Sequence, residues 1–465
     1  MAKKGRNVVL GAGPAGLAAA VKLAREGERP LVLERAPVPG GLMRSIERGD
    51  YRVDVGRKEL YARLPEVHEL WSGLLGDDYR EYPHRVGVLY EGTIIERSRS
   101  FRGFWRGMPR NLVFRGGLDF VLRQAVNPLL PPPSNEEEYW YRVRGRVFSE
   151  VLSQGHAEKF QGIRWSEQPA PEAVKGAGLV KSAARAVFGR AVAKDHGNTV
   201  WRHPARSTGQ IIDRLVETIA EEGGELKCGA SVTSLEMSGD RVKSVVAEID
   251  GEVQKVPVDS LVSSVPLNIL ATLLGREPPQ DIKGRDTKGR STILVYLFLD
   301  HPPKFPHAWL DVTDPGVKAG RITNYAGFNG RMVPPGKTCL AVEYFVLNDD
   351  PMLSLPNDAS LGRAVEECVR SGLIDATKLT DHMVLKLRGA FAADDYRSWT
   401  SPGVVALLER VAELTNLYNV NRAGTDVATY AGLEAAHAIH SGDRARFDER
   451  ADPRRKLGID STRLY

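Results

Sequence analysis

Cysteine is scarce: Cys228, Cys339 and Cys368 are the three in 465 residues. They stand far apart and form no C-x-x-C pair. No disulfide framework is expected, which fits a reducing compartment. Long hydrophobic runs are missing too, and no uninterrupted stretch approaches the ~18 apolar residues of a membrane-spanning helix. The start of the chain has the outward pattern of a secretory signal, with Lys3, Lys4 and Arg6 ahead of an Ala-rich run. Pro14 and three glycines interrupt that run, so a cytoplasmic location is expected instead. An excess of one charge is also lacking. The 64 Lys and Arg against 59 Asp and Glu leave a net +5, which implies no nucleic-acid partner. Neither internal repeats nor low-complexity linkers occur. The rest is ordinary globular composition, 42% hydrophobic and 26% charged. The length exceeds one compact core and calls for at least two domains.

The stretch from Val8 to Glu34 organises the chain. An apolar run, Asn7 to Leu10, ends in Gly11-Ala12-Gly13-Pro14-Ala15-Gly16. A helical pattern follows, with Leu17, Ala20, Val21 and Ala24 on one face. Gly27 breaks it, and Pro30 to Leu33 forms a second buried strand closed by Glu34. Strand, glycine turn, helix, strand and acid in this order make a βαβ dinucleotide-binding unit. Gly11 permits the tight turn, Gly13 lets the backbone approach a pyrophosphate, and Gly16 lets helix and strand pack closely. The helix N-terminus presents free N–H groups and positive dipole to the phosphates. Glu34, roughly 20 residues on, is placed to accept ribose hydroxyls. Pro14, Ala15 and Arg35 border the same ligand.

Next comes a turn-rich loop with a double glycine, Gly40-Gly41, and then Tyr51 to Gly56, which alternates like a strand and contains Asp54-Val55-Gly56. A dinucleotide motif with an acidic strand end, a GG loop and a D-x-G strand resembles the FAD-binding start of the flavin amine oxidase superfamily. That group includes protoporphyrinogen oxidases, phytoene desaturases and UDP-galactopyranose mutases. The resemblance implies FAD as cofactor, with Gly40, Gly41, Leu42, Met43 and Gly56 as flavin neighbours. Val232, on the strand after the Ile211–Glu222 helix, would meet adenine through its backbone. Near the C-terminus, Asn421 to Asp426 resembles the last FAD segment, followed by a helix from Ala431 to His440. On that basis Gly424, Asp426, Tyr430, Ala431, Gly432 and Leu433 are flavin neighbours. Departures are Arg57-Lys58 where relatives continue with Gly-His, Arg206-Ser207 where glycines are usual, and Asn421 where many have Gly. His437 and His440 have metal-ligand spacing, but no third ligand accompanies them and no metal is expected.

The implied fold class is α/β: a Rossmann-like FAD-binding domain interleaved with an α+β substrate domain. The FAD domain takes residues 1–75, 200–275 and 395–450, the substrate domain 76–199 and 276–394, and a charged tail 451–465. Expected elements of the second domain are a hairpin around Glu91-Gly92, a long helix over residues 139–165, a helical stretch from Ala170 to Lys194, and strands at Thr292–Leu299, Thr338–Val346 and Met383–Leu387. These strands alternate as a sheet with one covered face would. Tyr296, Tyr344 and Phe345 read as cavity wall or as core. Residues 97–133 are basic and aromatic, then apolar. They suit a membrane-surface patch, guanidinium contacts to an anionic substrate, or a merely solvated helical face.

A flavin performs the redox chemistry while the protein positions the substrate. Arg57, Lys58, Tyr396 and Trp399 are the candidates for the reactive face. The expected activity is an FAD-dependent oxidoreductase, amine oxidase- or protoporphyrinogen oxidase-like, moving a hydride from a small substrate to flavin N5. An anionic or sugar-conjugated substrate fits the arginines. The alternatives are a non-redox flavoenzyme resembling UDP-galactopyranose mutase and a non-catalytic flavin-binding scaffold, with peripheral membrane contact fitting the scaffold.

Overall fold

The glycine turn sits at the carboxyl end of the central strand of a seven-stranded sheet. The structure, a computed structural model, describes residues 5–60, 64–82, 85–96, 107–171, 201–278, 289–391 and 402–451. Arg6–Leu10 pairs in parallel with Leu31–Glu34 on one side and with Glu252–Ser263 on the other. Glu225–Cys228 extends the parallel set beyond Leu31–Glu34, and Leu417–Asn419 joins it beyond Glu252–Ser263. The long Glu252–Ser263 strand also runs into an antiparallel meander with Ser231–Ser238 and Arg241–Ile249. Val8, Val9, Leu10, Leu31, Val32, Leu33, Leu261 and Val262 are all buried. Parallel strands covered on both faces require such continuous apolar runs. One cover is helical: Pro14–Arg25, Pro65–Leu75, Gly209–Glu221 and Thr425–Ser441 bury a shared core. The opposite core joins the meander to helices Leu267–Leu273 and Pro402–Ala412.

A second seven-stranded sheet runs in the spatial order Leu379–Phe391, Arg290–Leu299, Thr338–Leu347, Arg321–Asn324, Trp309–Val312, Val86–Tyr90, Thr93–Glu96. The hairpin around Glu91-Gly92 forms as expected. The expectation of one covered face is corrected: Arg290–Leu299 and Thr338–Leu347 are buried on both. Ile293, Val295, Leu340, Val342 and Tyr344 pack with Ala364 and Cys368 of the helix Asn357–Arg370. The alternate residues, Leu294, Tyr296 and Ala341 among them, pack with Val53 and Val55. Polar residues on that second face produced the alternation, but they are buried too.

The expected long helix over 139–165 is also corrected. Glu136–Arg144 ends at Gly145, which takes φ +82°, and the chain restarts as shorter turns to Gln161. A Cβ at Gly145 would press on the Asp119 carboxylate, whose oxygen accepts the Val147 N–H. The stretch 172–194, the arginines of 97–106 and the tail from 452 lie outside the described residues.

Candidate active site

Two loops and two helix N-termini converge on the first sheet. The Gly11 N–H donates to the Leu33 carbonyl at 2.9 Å, and the Gly40 N–H donates to the Ala12 carbonyl at 2.7 Å. The GG loop thereby lies across the glycine turn, and a Cβ on Gly41 would stand 3.7 Å from the Gly13 Cα. Glu34 accepts the Ala12 and Ala36 N–H groups at 2.7 Å each, one on each carboxylate oxygen. Each oxygen keeps a further lone pair. A Cβ on Gly16 would collide with the Gly11 carbonyl, and one on Gly432 with the Ala15 carbonyl. The bare Gly16 lets the helix Pro14–Arg25 close onto the turn and its strand, and the bare Gly432 lets the helix Thr425–Ser441 pack against Pro14–Arg25.

Gly13 and Gly424 cap these two helices, so neither N-cap residue supplies a side-chain hydrogen bond to its helix. A Cβ on Gly13 would meet nothing within 4 Å. First-turn N–H groups beside an open approach are what a pyrophosphate needs. The residues present therefore fit a bound dinucleotide, with Gly11 to Gly16 at the phosphates and Glu34 at a ribose. Arg35 and Leu42 are exposed alongside, whereas Met43 is buried in the helical layer. Val232 begins the meander just after Ala230, whose N–H donates to the Glu34 carbonyl.

The last helix starts at Thr425 rather than at Ala431. An N-cap glycine and an acid in the first turn favour that earlier start. Asp426, Tyr430, Ala431, Gly432 and Leu433 therefore share one helix. Tyr430 stands near Glu434 and Glu66, and burial raises its phenol.

Asp54 connects this assembly to the second sheet. It is fully buried. One carboxylate oxygen accepts the Thr208 N–H (2.6 Å) and hydroxyl (2.8 Å), and the other lies 2.9 Å from His203 Nε2. Its carbonyl accepts from the Tyr296 hydroxyl at 2.9 Å, and that hydroxyl in turn accepts the Gly56 N–H at 2.9 Å. Tyr325 Oη lies 2.7 Å from the same carbonyl. Burial pushes both phenols well above their ordinary value, so they stay protonated donors. Ser207, where a glycine was the usual residue, takes φ +69° and touches the Ser45 hydroxyl.

Beyond Gly56 the sheet carries a row of buried charge. Glu343, Arg321 and Asp311 stand directly opposite one another on three adjacent strands. Arg321 Nη1 lies 3.3 Å from Glu343, and Nε lies 3.7 Å from Asp311. His156 Nε2 is 3.5 Å from Asp311, and its Nδ1 is 2.6 Å from the Gly320 carbonyl, so Nδ1 carries the proton. A Cβ on Gly56 would come 3.8 Å from a Glu343 oxygen. Lys58 donates to the Val55 carbonyl at 2.7 Å. Burial pushes its ammonium down, against the pull of Asp54 and Glu343. Arg57 pairs with Glu59 at 3.1 Å and lies 4.5 Å above the Trp309 ring.

The three ambiguous aromatics separate. Tyr344 points away, its hydroxyl 3.1 Å from Glu367. Tyr296 joins the Asp54 network, and Phe345 stacks edge-on to Phe160 beside Arg321. Arg57 and Lys58 follow directly on Gly56, the expected flavin neighbour, whereas Tyr396 and Trp399 lie outside the described residues. Sequence reasoning missed Asp311, Arg321 and Glu343. The available signal was a lone charge inside an apolar strand, as in Thr338–Leu347 (TCLAVEYFVL).

Residues 14–445 match the flavin-containing amine oxidoreductase family. Phytoene dehydrogenase of Streptomyces griseus is 25% identical over 383 residues, 71% of this chain and 70% of that one. The structure of a reduced UDP-galactopyranose mutase superposes with a TM-score of 0.72 at 19% identity, covering 98% of this chain and all of that one (100%). A putrescine oxidase with bound putrescine gives 0.58 at 13% identity over 94% and 99% of the two chains. These two likenesses concern the fold. The chain belongs to the flavin-containing amine oxidoreductase family, and it is an FAD-dependent oxidoreductase. Among its described residues no helix is long and apolar enough to cross a membrane.

Proposed function

We propose that this flavin-containing amine oxidoreductase oxidises a small polar molecule held between the Gly56–Lys58 loop and the charged row of the second sheet. The observation that carries the reading is the buried Glu343–Arg321–Asp311 row. Three charges in register on one sheet face cost more to bury than apolar residues of the same volume. A binding site for an apolar chain has no use for them. A polar substrate does, because fixed dipoles and charges orient it without reorganising.

In this reading the residues divide into two sets. Gly11, Gly13, Pro14, Ala15, Gly16, Glu34, Arg35, Gly40, Gly41, Leu42, Gly56, Val232, Gly424 and Asp426 hold FAD, which when bound accepts a hydride from the substrate and passes electrons on. Met43, Tyr430, Ala431 and Leu433 support them from the helical layer. Lys58 presents positive charge to an anionic or carbonyl group, and Arg321, held between Glu343 and Asp311, fixes the charges of the row in place. Arg57 closes the edge by packing on Trp309. The Asp54 network keeps Gly56, and so the flavin edge, in fixed register with Arg321. The FAD domain comprises residues 1–75, 200–275 and 395–450, and the second sheet belongs to the substrate domain.

The test is an anaerobic visible spectrum of the holoprotein during addition of amines, nucleotide sugars, porphyrinogens and a carotene. Bleaching of oxidised flavin by a polar compound, lost in Arg321→Met, supports the reading. Bleaching by the carotene alone would overturn it. Nucleotide-sugar turnover that demands reduced flavin would move the chain to the non-redox class.

A further inference from the structure

The helix Arg110–Val126 is apolar on two faces. Inward, Leu112, Val113 and Phe120 pack in a core with Phe148, Asp119 accepts the Val147 N–H, and Gln124 donates to the Arg142 carbonyl, as does Asn127 just beyond the helix. Gly116 rests against the Phe148 ring so closely that a Cβ would collide with it. The opposite face carries Phe114, Leu118, Val121 and Leu122, with Val126 and Leu129 continuing it. Their exposures run from 46% at Val126 to 82% at Leu129. Spacings of four, three and one residues place the first four on a single stripe. A surface helix normally keeps its outer face polar. Scattered exposed apolar residues need no explanation, but a contiguous stripe marks an interaction surface.

Charge identifies what covers it. From Arg110 to Leu130 the chain has Arg110, Arg115 and Arg123 and a single acid, Asp119, whose carboxylate is occupied inward. The ten residues before Gly107 add four arginines and no acid. Arg110 and Arg115 are exposed beside the stripe. Apolar side chains flanked by guanidinium groups suit a surface of phosphate headgroups over hydrocarbon. We propose that this helix docks the protein onto an anionic lipid surface, lying in the plane of the membrane with Phe114, Leu118, Val121 and Leu122 inserted. The docking does not depend on the substrate assigned above.

The experiment is cosedimentation of the full-length holoprotein with vesicles of phosphatidylcholine alone and with vesicles containing phosphatidylglycerol. The parent protein is expected to pellet with the anionic vesicles and to be released as salt rises, since screening weakens the arginine contribution. Leu118→Ser/Leu122→Ser/Leu129→Ser should weaken that binding by at least about tenfold, given the apolar area removed. Arg110→Gln/Arg115→Gln should weaken it at low salt and reduce its salt dependence. Unchanged flavin absorbance in both variants reports that they fold. Failure of the parent to bind anionic vesicles, or equal binding by the triple-serine variant, would overturn the proposal. So would a solution dimer that the triple-serine variant dissociates, with no vesicle binding by the parent: the stripe would then belong to a second copy.

Discussion

Glu34 already accepts two backbone N–H groups, from Ala12 and Ala36, so its carboxylate shapes the turn and, in the proposed reading, also recognises the ribose. Charge-assisted bonds of this kind contribute about 1.5–3 kcal/mol each. Glu34→Gln should therefore weaken FAD binding by roughly ten- to a hundredfold, read by fluorescence titration of the apoprotein. Lys159 shows a different use of charge. Its ammonium lies among the carbonyls of Val312, Asp314, Val317 and Ala319, and burial pushes it down from 10.5 to about 8. Between those two values the unfolded chain binds more protons than the native one. Lys159 therefore contributes least below about pH 8, and its contribution grows as the pH rises from about 8 to 10.5. The Tm advantage of the parent over Lys159→Met should be flat up to pH 8 and widen above it. A gap that narrows over this range would contradict the assignment.

At the scale of the element, the glycines of the first site do different work. Gly13 has φ −78° and open space around it, whereas Gly432 has the Ala15 carbonyl against it. Gly13→Ala should leave the Tm of the apoprotein unchanged and weaken FAD, because the added methyl stands where the pyrophosphate approaches. Gly432→Ala should lower the apoprotein Tm itself, by an overpacking cost of about 1–3 kcal/mol, before any cofactor is added. Calorimetry with and without FAD separates the two. Gly11 to Gly16 could be read from the chain because a turn, a helix start and a close approach each demand glycine locally. The start of the last helix could not. Gly424 and Asp426 allow a turn or a helix start, and the packing of Gly432 on Ala15 favours the helix.

At the scale of the whole molecule, Asp54 is the joint. Its carboxylate holds His203 and Thr208, while its carbonyl holds the tyrosines of the second sheet. Removing a buried carboxylate that neighbours depend on costs about 3–5 kcal/mol. Asp54→Ala should lower stability by roughly that amount within one calorimetric transition, because the backbone carbonyl that accepts from Tyr296 and Tyr325 stays in place. A single transition shifted by less than a degree or so would show that the joint lies elsewhere.

The βαβ unit, the acid at its end, the GG loop and the hairpin of residues 86–96 were determined by the sequence alone. Each depends on contacts within about 30 residues, where periodicity and turn chemistry act. The row Glu343–Arg321–Asp311 was decided only in three dimensions, since strand register brings together residues from three separate strands. The same holds for Asp54, whose partners lie 149 to 271 residues away, and for the outward face of Arg110–Val126. A polar residue in an apolar strand and an apolar residue on a helix have no fixed direction until the neighbouring layers are in place. Burial by those layers, rather than local propensity, determines which face meets the core.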